Sequence, residues 1–403
     1  MKKLLHRDSL TLLVLIYATM LLFGTIENIK GVSLPVIKEA FGAAYDEQGG
    51  LVSFSWYGYV LFGMVATFTV QRFGSRQSLL FGYILVAAGC AATVFAPSFL
   101  TVTLALMVLW MGLGFFEVGT NALATAAFSA KSAILMNLMH FFYGLGAVLG
   151  PKFAGTLIDS FHVSFRGVYL IALAPVLAVM LVVILPKSRA MASAEAEGPT
   201  MTIAGALRNP YVWLFSACLG FMEVIEFGAA NWGGLYWKDV HGLDPATVGA
   251  TFVSVFYLFF TASRLLSGFA IEKIGYVRSL ALSLLALLLL YAVGFSLGQG
   301  GLWVLAGTGF FVAILWPTLI CAAMVVFRAD APIATSVVIV VSGSINGLGQ
   351  LGTGLINEYI GKEWGYRFSM LYVLIALALI LYIAYRHRRS EVGRAVGSAA
   401  LRP

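Results

Sequence analysis

Long apolar runs alternate with short polar breaks twelve times along the chain. Each run is long enough to cross a bilayer as a helix, which takes about 20 apolar residues. The pattern predicts helices near 9–37, 48–71, 76–95, 99–126, 132–156 and 166–186, then near 211–237, 247–271, 277–297, 300–328, 332–358 and 366–386. The first run reads as a span and not as a cleaved leader: it is too long, and no small-x-small cleavage site follows it. One polar interval is longer than the others. KSRAMASAEAEGPTMTIAGALRN, from Lys187 to Asn209, is charged, rich in small residues and contains Gly198-Pro199.

The expected architecture is an all-α membrane protein with twelve transmembrane helices in two pseudo-symmetric six-helix bundles. Residues 1–186 form the first bundle, 187–209 a cytoplasmic linker, 210–390 the second bundle and 391–403 a cytoplasmic tail.

Three sequence matches between the halves support a repeat. QRFGSRQSL (Gln71–Leu79) matches EKIGYVRSL (Glu272–Leu280) at an offset of 201. GLGFFEVGTNA (Gly112–Ala122) matches GTGFFVAILWP (Gly307–Pro317) at 195, and Lys38, Glu39 and Gly42 match Lys238, Asp239 and Gly242 at 200. Two parallel six-helix repeats place a substrate site near the bilayer midplane between them.

Composition narrows the class. Of the 403 residues, 60% are hydrophobic and 11% charged, against roughly 25% charged in a soluble domain; the mean hydropathy is +0.92. A soluble enzyme and a disordered chain are both excluded. The net charge of +7 reflects membrane topology, since the basic residues form no face that would suit nucleic acid. Seventeen of the 25 Lys and Arg lie at the termini and even-numbered connections, six in odd-numbered connections, and Lys30 and Arg264 inside spans. Both termini are therefore expected in the cytoplasm. Cys90, Cys218 and Cys321 are widely spaced in apolar runs, which fits neither a disulfide framework nor a metal cluster.

With this layout the chain resembles the major facilitator superfamily. RLLSGFAIEKIGYVRSL (Arg264–Leu280) is similar to that family's signature between helices eight and nine. By that resemblance Arg264, Glu272 and Arg278 form a structural gate, a charge cluster and tight turn locking two helices at the cytoplasmic face. The first-half copy departs from it, with Gln71 at the place of the acid. A narrower resemblance, to the fucose/glucose/galactose–proton symporter branch, rests on Glu117, Asn121, Asn137, His140, Gly144, Gly146, Gly150 and Pro151, and in span seven on Glu223, Glu226, Gly228, Asn231 and Trp232. In that branch a span-four glutamate followed four residues later by asparagine lines the sugar site. The branch carries an aspartate four residues before a span-one proline, where this chain has Gly31 before Pro35, with Glu27 and Lys30 nearby.

Ionisable groups inside spans are costly, about 2.5–3.5 kcal/mol or more at the bilayer centre, and they mark function by default. Six are expected there: Glu27, Lys30, Glu117, Glu223, Glu226 and Arg264. Glu117 and Asn121 are four apart and share a helix face. Burial disfavours a charged carboxylate, so such a group can exchange a proton near physiological pH. The matching second-half positions hold Val312 and Trp316, so this acid belongs to one half only. It is either the coupling residue or a neutral acid tying helices together. His140 serves a proton relay or an interhelical hydrogen bond beside Asn137. Glu27 and Lys30 form an ion pair, or Lys30 contacts an anionic group of the solute. Glu223 and Glu226 lie close enough to keep both from ionising. Candidate solute contacts are Glu27, Lys30, Glu117, Asn121, Asn137, Tyr143, Glu223, Glu226, Asn231, Trp232, Trp316, Asn346 and Gln350; Asn231–Trp232 and Trp316, Asn346 and Gln350 combine amides with aromatic platforms.

The expected function is proton-coupled symport of a small polar solute, most simply a monosaccharide, by alternating access. The rivals are a proton-driven exporter, suggested by Gly146, Gly150 and Pro151, and symport of an organic anion through Lys30. No phosphate loop, nucleotide fingerprint, metal spacing or nucleophile–base pair is recognisable, so no enzyme activity, cofactor or resident metal is expected. The proton is the expected coupling ion, with sodium the alternative, and the expected partners are a solute and the bilayer around a monomer.

Overall fold

A computed structural model describes residues 7–127, 132–184, 201–327 and 330–389. Among these, twelve helical stretches are long and apolar enough to cross a membrane. A lipid-facing backbone must satisfy its own N–H and C=O groups, which leaves the helix as the spanning form for such runs. The first six spans are carried by α1 (Arg7–Phe41), α2 (Tyr45–Phe73), α3 (Ser75–Phe95), α4 (Phe99–Ala127), α5 (Ser132–Asp159) and α6 (Phe165–Ile184). A short helix α7 (Ile203–Arg208) precedes α8 (Pro210–His241). It lies within the interval expected as a linker, where Thr202 caps it by accepting from the Gly205 N–H. Asn209 caps α8 by accepting from the Tyr211 N–H, with Pro210 in the first turn, where its missing N–H costs nothing.

Span seven is α8; span eight is a π-helical turn (Pro245–Gly249) running into α9 (Ala250–Ile274), and span nine is α10 (Tyr276–Ser296). Span ten departs from the single helix expected over 300–328. It is segmented into a 3-10 turn (Gly298–Gly301), α11 (Leu302–Gly307), α12 (Gly309–Val312) and α13 (Leu315–Phe327). Pro317 has no N–H to donate to the Ala313 carbonyl, and its ring crowds that carbonyl, so the helix opens at 313–314. The last spans are α14 (Ala331–Tyr359) and α15 (Trp364–Arg367) followed by α16 (Ser369–Arg389).

The chain divides into two compact units: residues 1–196 with Leu243–Ser254, and residues 197–242 with Val255–Pro403. In the first unit α1 packs on α5, α3 on α4 and α6, and α2 on α4. Glycines set these approaches. A Cβ on Gly24 of α1 would overlap the Tyr143 carbonyl of α5, and one on Gly146 or Gly150 would overlap the carbonyls of Leu21 or Thr25. Such close backbone contact is how helices associate where lipid is as apolar as the side chains. It also gives Gly146 and Gly150 a packing role. In the second unit α8 packs on α14 and α16, and α16 on α10.

The sequence repeat has a backbone counterpart. Gly74 and Gly275 have φ of 86° and 91°, and each donates its N–H to the residue four back, Val70 and Ile271. Gly42 and Gly242, which end α1 and α8, have φ of 61° and 67°. Gly114 lies against the Tyr59 carbonyl of α2, and Gly309 against the Phe256 carbonyl of α9.

Candidate functional site

Among the described residues, the buried candidates expected from the sequence fall into a group in each unit. In the first unit the group is built from α1, α2, α4 and α5. Glu27 and Lys30 are both buried, one turn apart on α1. The Tyr143 hydroxyl of α5 donates to Glu27 Oε2 over 2.5 Å. Lys30 turns the other way: its Nζ lies 3.6 Å from the centroid of the Trp110 ring on α4. Glu27 is its electrostatic neighbour, yet Nζ has no hydrogen-bond partner. Trp110 is part of an aromatic cluster, with Trp56 of α2 at 5.6 Å and Tyr59 at 6.2 Å between ring centroids.

Further along α4, Asn121 Nδ2 donates to Glu117 Oε1 at 2.9 Å and to the Glu117 carbonyl at 2.8 Å. Both residues are half-buried. The i, i+4 spacing expected to place them on one face does so, and the bond fixes the carboxyl's orientation. His140 is half-buried on α5, one turn before Tyr143. The side chain of Asn137 lies outside those described.

In the second unit the group spans α8, α9, α13 and α14. Gln350 Oε1 accepts from the Trp232 indole at 2.9 Å and from Asn231 Nδ2 at 3.4 Å, while Gln350 Nε2 donates to Asn346 Oδ1 at 3.0 Å. All four are buried. Ser342 Oγ donates to Glu223 Oε1 at 3.2 Å, and Trp316 is a second hydrogen-bonding partner of that carboxyl. Glu226, one turn on, has Arg264 of α9 as its electrostatic counterpart. The Arg264 guanidinium also lies 4.3 Å from the Phe260 ring centroid. The Glu272 side chain, expected beside Arg264, lies outside those described, and Arg278 is exposed in the first turn of α10.

Two contributors escaped sequence reasoning. Trp110 had a usable signal, since seven residues before Glu117 is two turns along the same helix. Ser342 also had one: Ser342, Asn346 and Gln350 repeat every four residues and draw a polar stripe along α14. Among the described residues no cluster of His, Cys, Asp or Glu is arranged to hold a metal.

The chain is 26% identical over 339 residues to the L-fucose-proton symporter of Escherichia coli K12, covering 74% of this chain and 76% of that one. It is 25% identical over 328 residues to a putative glucose/galactose transporter of Helicobacter pylori J99, covering 75% and 78%. Among solved structures it is similar to a bacterial homologue of the human lysosomal transporter Spinster, with a TM-score of 0.75 at 19% identity, covering 93% of this chain and 96% of that one. The family model of the Major Facilitator Superfamily matches residues 16–331. The chain is thus a multi-pass membrane transporter and not an enzyme, and it belongs to the major facilitator superfamily.

Proposed function

We propose that the protein is a proton-coupled symporter of a monosaccharide that works by alternating access, with both termini in the cytoplasm. The observation that carries this reading is the Glu117–Asn121 pair, a carboxyl held by an amide in an otherwise apolar helix. Glu117 loads a proton from outside, and its neutral form permits solute binding and reorientation. A carboxyl paired with an amide presents acceptors and donors to sugar hydroxyls, and it loses its charge by protonation without losing its shape. Support for a sugar comes from the relatives in Escherichia coli and Helicobacter pylori, an L-fucose-proton symporter and a putative glucose/galactose transporter. It comes also from the second unit's row of Asn231, Trp232, Gln350 and Asn346, where amides lie at the N–H edge of an indole.

The test is uphill uptake in liposomes. Glu117→Gln keeps the acceptor for Asn121 but cannot exchange a proton. Under an inward proton gradient it abolishes accumulation of the sugar while leaving exchange of internal for external sugar within a few-fold of the parent. Undiminished proton-driven accumulation by Glu117→Gln removes the mechanism. Accumulation driven by a sodium gradient alone moves the coupling to that ion.

A further inference from the structure

Lys30 is 1% exposed and lies within the membrane span of α1. An ammonium has three N–H donors. The Trp110 face supplies one favourable contact, a cation–π interaction. The donors have no hydrogen-bond acceptor among the described residues. Glu27 attracts the ammonium through space, but the hydrogen bond recorded at its Oε2 comes from Tyr143. In the second unit Arg264 likewise has a carboxylate as electrostatic neighbour, Glu226, and its Nε has no hydrogen-bond partner, but Arg264 is half-buried where Lys30 is fully buried. A cation held in an apolar span without an acceptor suits a partner that comes and goes with the transport cycle.

The chemistry of that partner follows from its surroundings. Lys30 and Arg264 are the two basic residues expected within spans, and Arg264 belongs to the other unit. Lys30 supplies a single positive charge with Glu27 close by, so the pair can take one negative charge from a solute when Glu27 is protonated, and a carboxylate fits better than a phosphate dianion. Trp56 and Trp110 are buried beside Nζ, and half-buried Tyr59, packed against both, is the member of this aromatic cluster that can meet the apolar face of a sugar ring. Glu117 stands about 10 Å further along α4 from Trp110 at 1.5 Å per residue, where its side chain can reach back towards hydroxyls at the far end of a hexose-sized solute.

We infer that Lys30 anchors the carboxylate of an acidic monosaccharide, an aldonate or a uronate, so that the solute is a sugar acid. This deepens the symport reading above and rests on it only for the solute being a sugar.

The experiment is counterflow in liposomes holding the full chain, at equal pH on both sides so that substrate choice is read apart from proton coupling. The probes are glucuronate, gluconate, glucose and glucose 6-phosphate. The expected result is counterflow of glucuronate or gluconate that unlabelled glucose fails to displace at equal concentration. Lys30→Gln lowers acid counterflow by about tenfold or more, the scale expected when one partner of a buried charged contact is removed; Lys30→Arg retains a measurable part. Folding is checked by thermal shift: glucuronate raises the melting temperature of the parent and leaves that of Lys30→Gln unmoved. Glucose counterflow without competition from either acid overturns the inference and leaves the symport reading standing. Preference for glucose 6-phosphate, or acid counterflow undiminished in Lys30→Gln, overturns it as well. No counterflow of either acid overturns it too and leaves the symport reading to the uptake test above.

Discussion

At the scale of single residues, the buried polar groups of the second unit make one accounting problem. Gln350 accepts from Trp232 and Asn231 and donates to Asn346, so three neighbours depend on one side chain. Gln350→Leu keeps the volume and removes every one of those bonds. Each orphaned buried group costs about 1–3 kcal/mol, so the variant is expected to melt several degrees below the parent in detergent and to raise the half-saturating sugar concentration in uptake. Unchanged melting and uptake would show that the amide row is bystander packing. Some of this site was legible beforehand. Four-residue spacing fixes which face Glu117 and Asn121 share, and their hydrogen bond follows from helix geometry alone. The same logic placed Glu27 and Lys30 side by side and left open which neighbour each would choose. That choice is made by other helices: Tyr143 of α5 reaches Glu27, and the Trp110 face of α4 lies beneath Lys30. Local periodicity carries no information about a contact between residues more than a hundred positions apart, such as Tyr143 and Glu27.

At the scale of elements, apolar run length sets the spans, and a few residues set their ends. The twelve spans were readable because the bilayer imposes one length and one backbone solution on each. The segmentation of span ten was not. It depends on Pro317 acting on a helix whose neighbours leave room for it to open at 313–314. Pro35 in α1, Pro151 in α5 and Pro175 in α6 stay inside continuous helices. Gly74 and Gly275 are the clearest case of a residue type demanded by a turn. Their φ, ψ pairs of 86°, 163° and 91°, 153° belong to a region that side-chain-bearing residues essentially never adopt. Gly74→Ala and Gly275→Ala are each expected to destabilise by about 1–3 kcal/mol. Gly352→Ala in α14, where an added Cβ meets nothing within 4 Å, is the matched control and is expected to be neutral or slightly stabilising, because Ala favours the helix. Thermal melts of the three variants side by side check this, and equal melting of all three would remove the argument from backbone strain.

At the scale of the whole molecule, the repeat and the charge pattern constrain the same thing, the direction in which the chain is threaded. The Gly74 and Gly275 turns occupy equivalent places in the two halves, each ending an even-numbered span. Parallel repeats of six spans put both turns on the same side of the membrane. By the positive-inside rule, the excess of Lys and Arg at even-numbered connections, seventeen with the termini against six at odd ones, predicts that this side is the cytoplasmic one. The two arguments are independent, since one uses backbone conformation and the other the cost of translocating positive charge. They predict a labelling pattern. Ser160, exposed in the connection after α5, is on an odd-numbered loop, and Gln77, exposed in the first turn of α3, is beside an even-numbered one. In intact cells a membrane-impermeant maleimide should therefore modify Ser160→Cys at once. Gln77→Cys should react only after the cells are permeabilised. The native Cys90 and Cys218 are buried, so the background is set chiefly by half-buried Cys321, and a Cys321→Ala parent removes it. The reverse pattern would invert the assigned direction for the whole chain. Modification of both positions in intact cells would contradict the six-plus-six threading itself, because no even spacing of spans leaves the connection after α5 and the one before α3 on the same side.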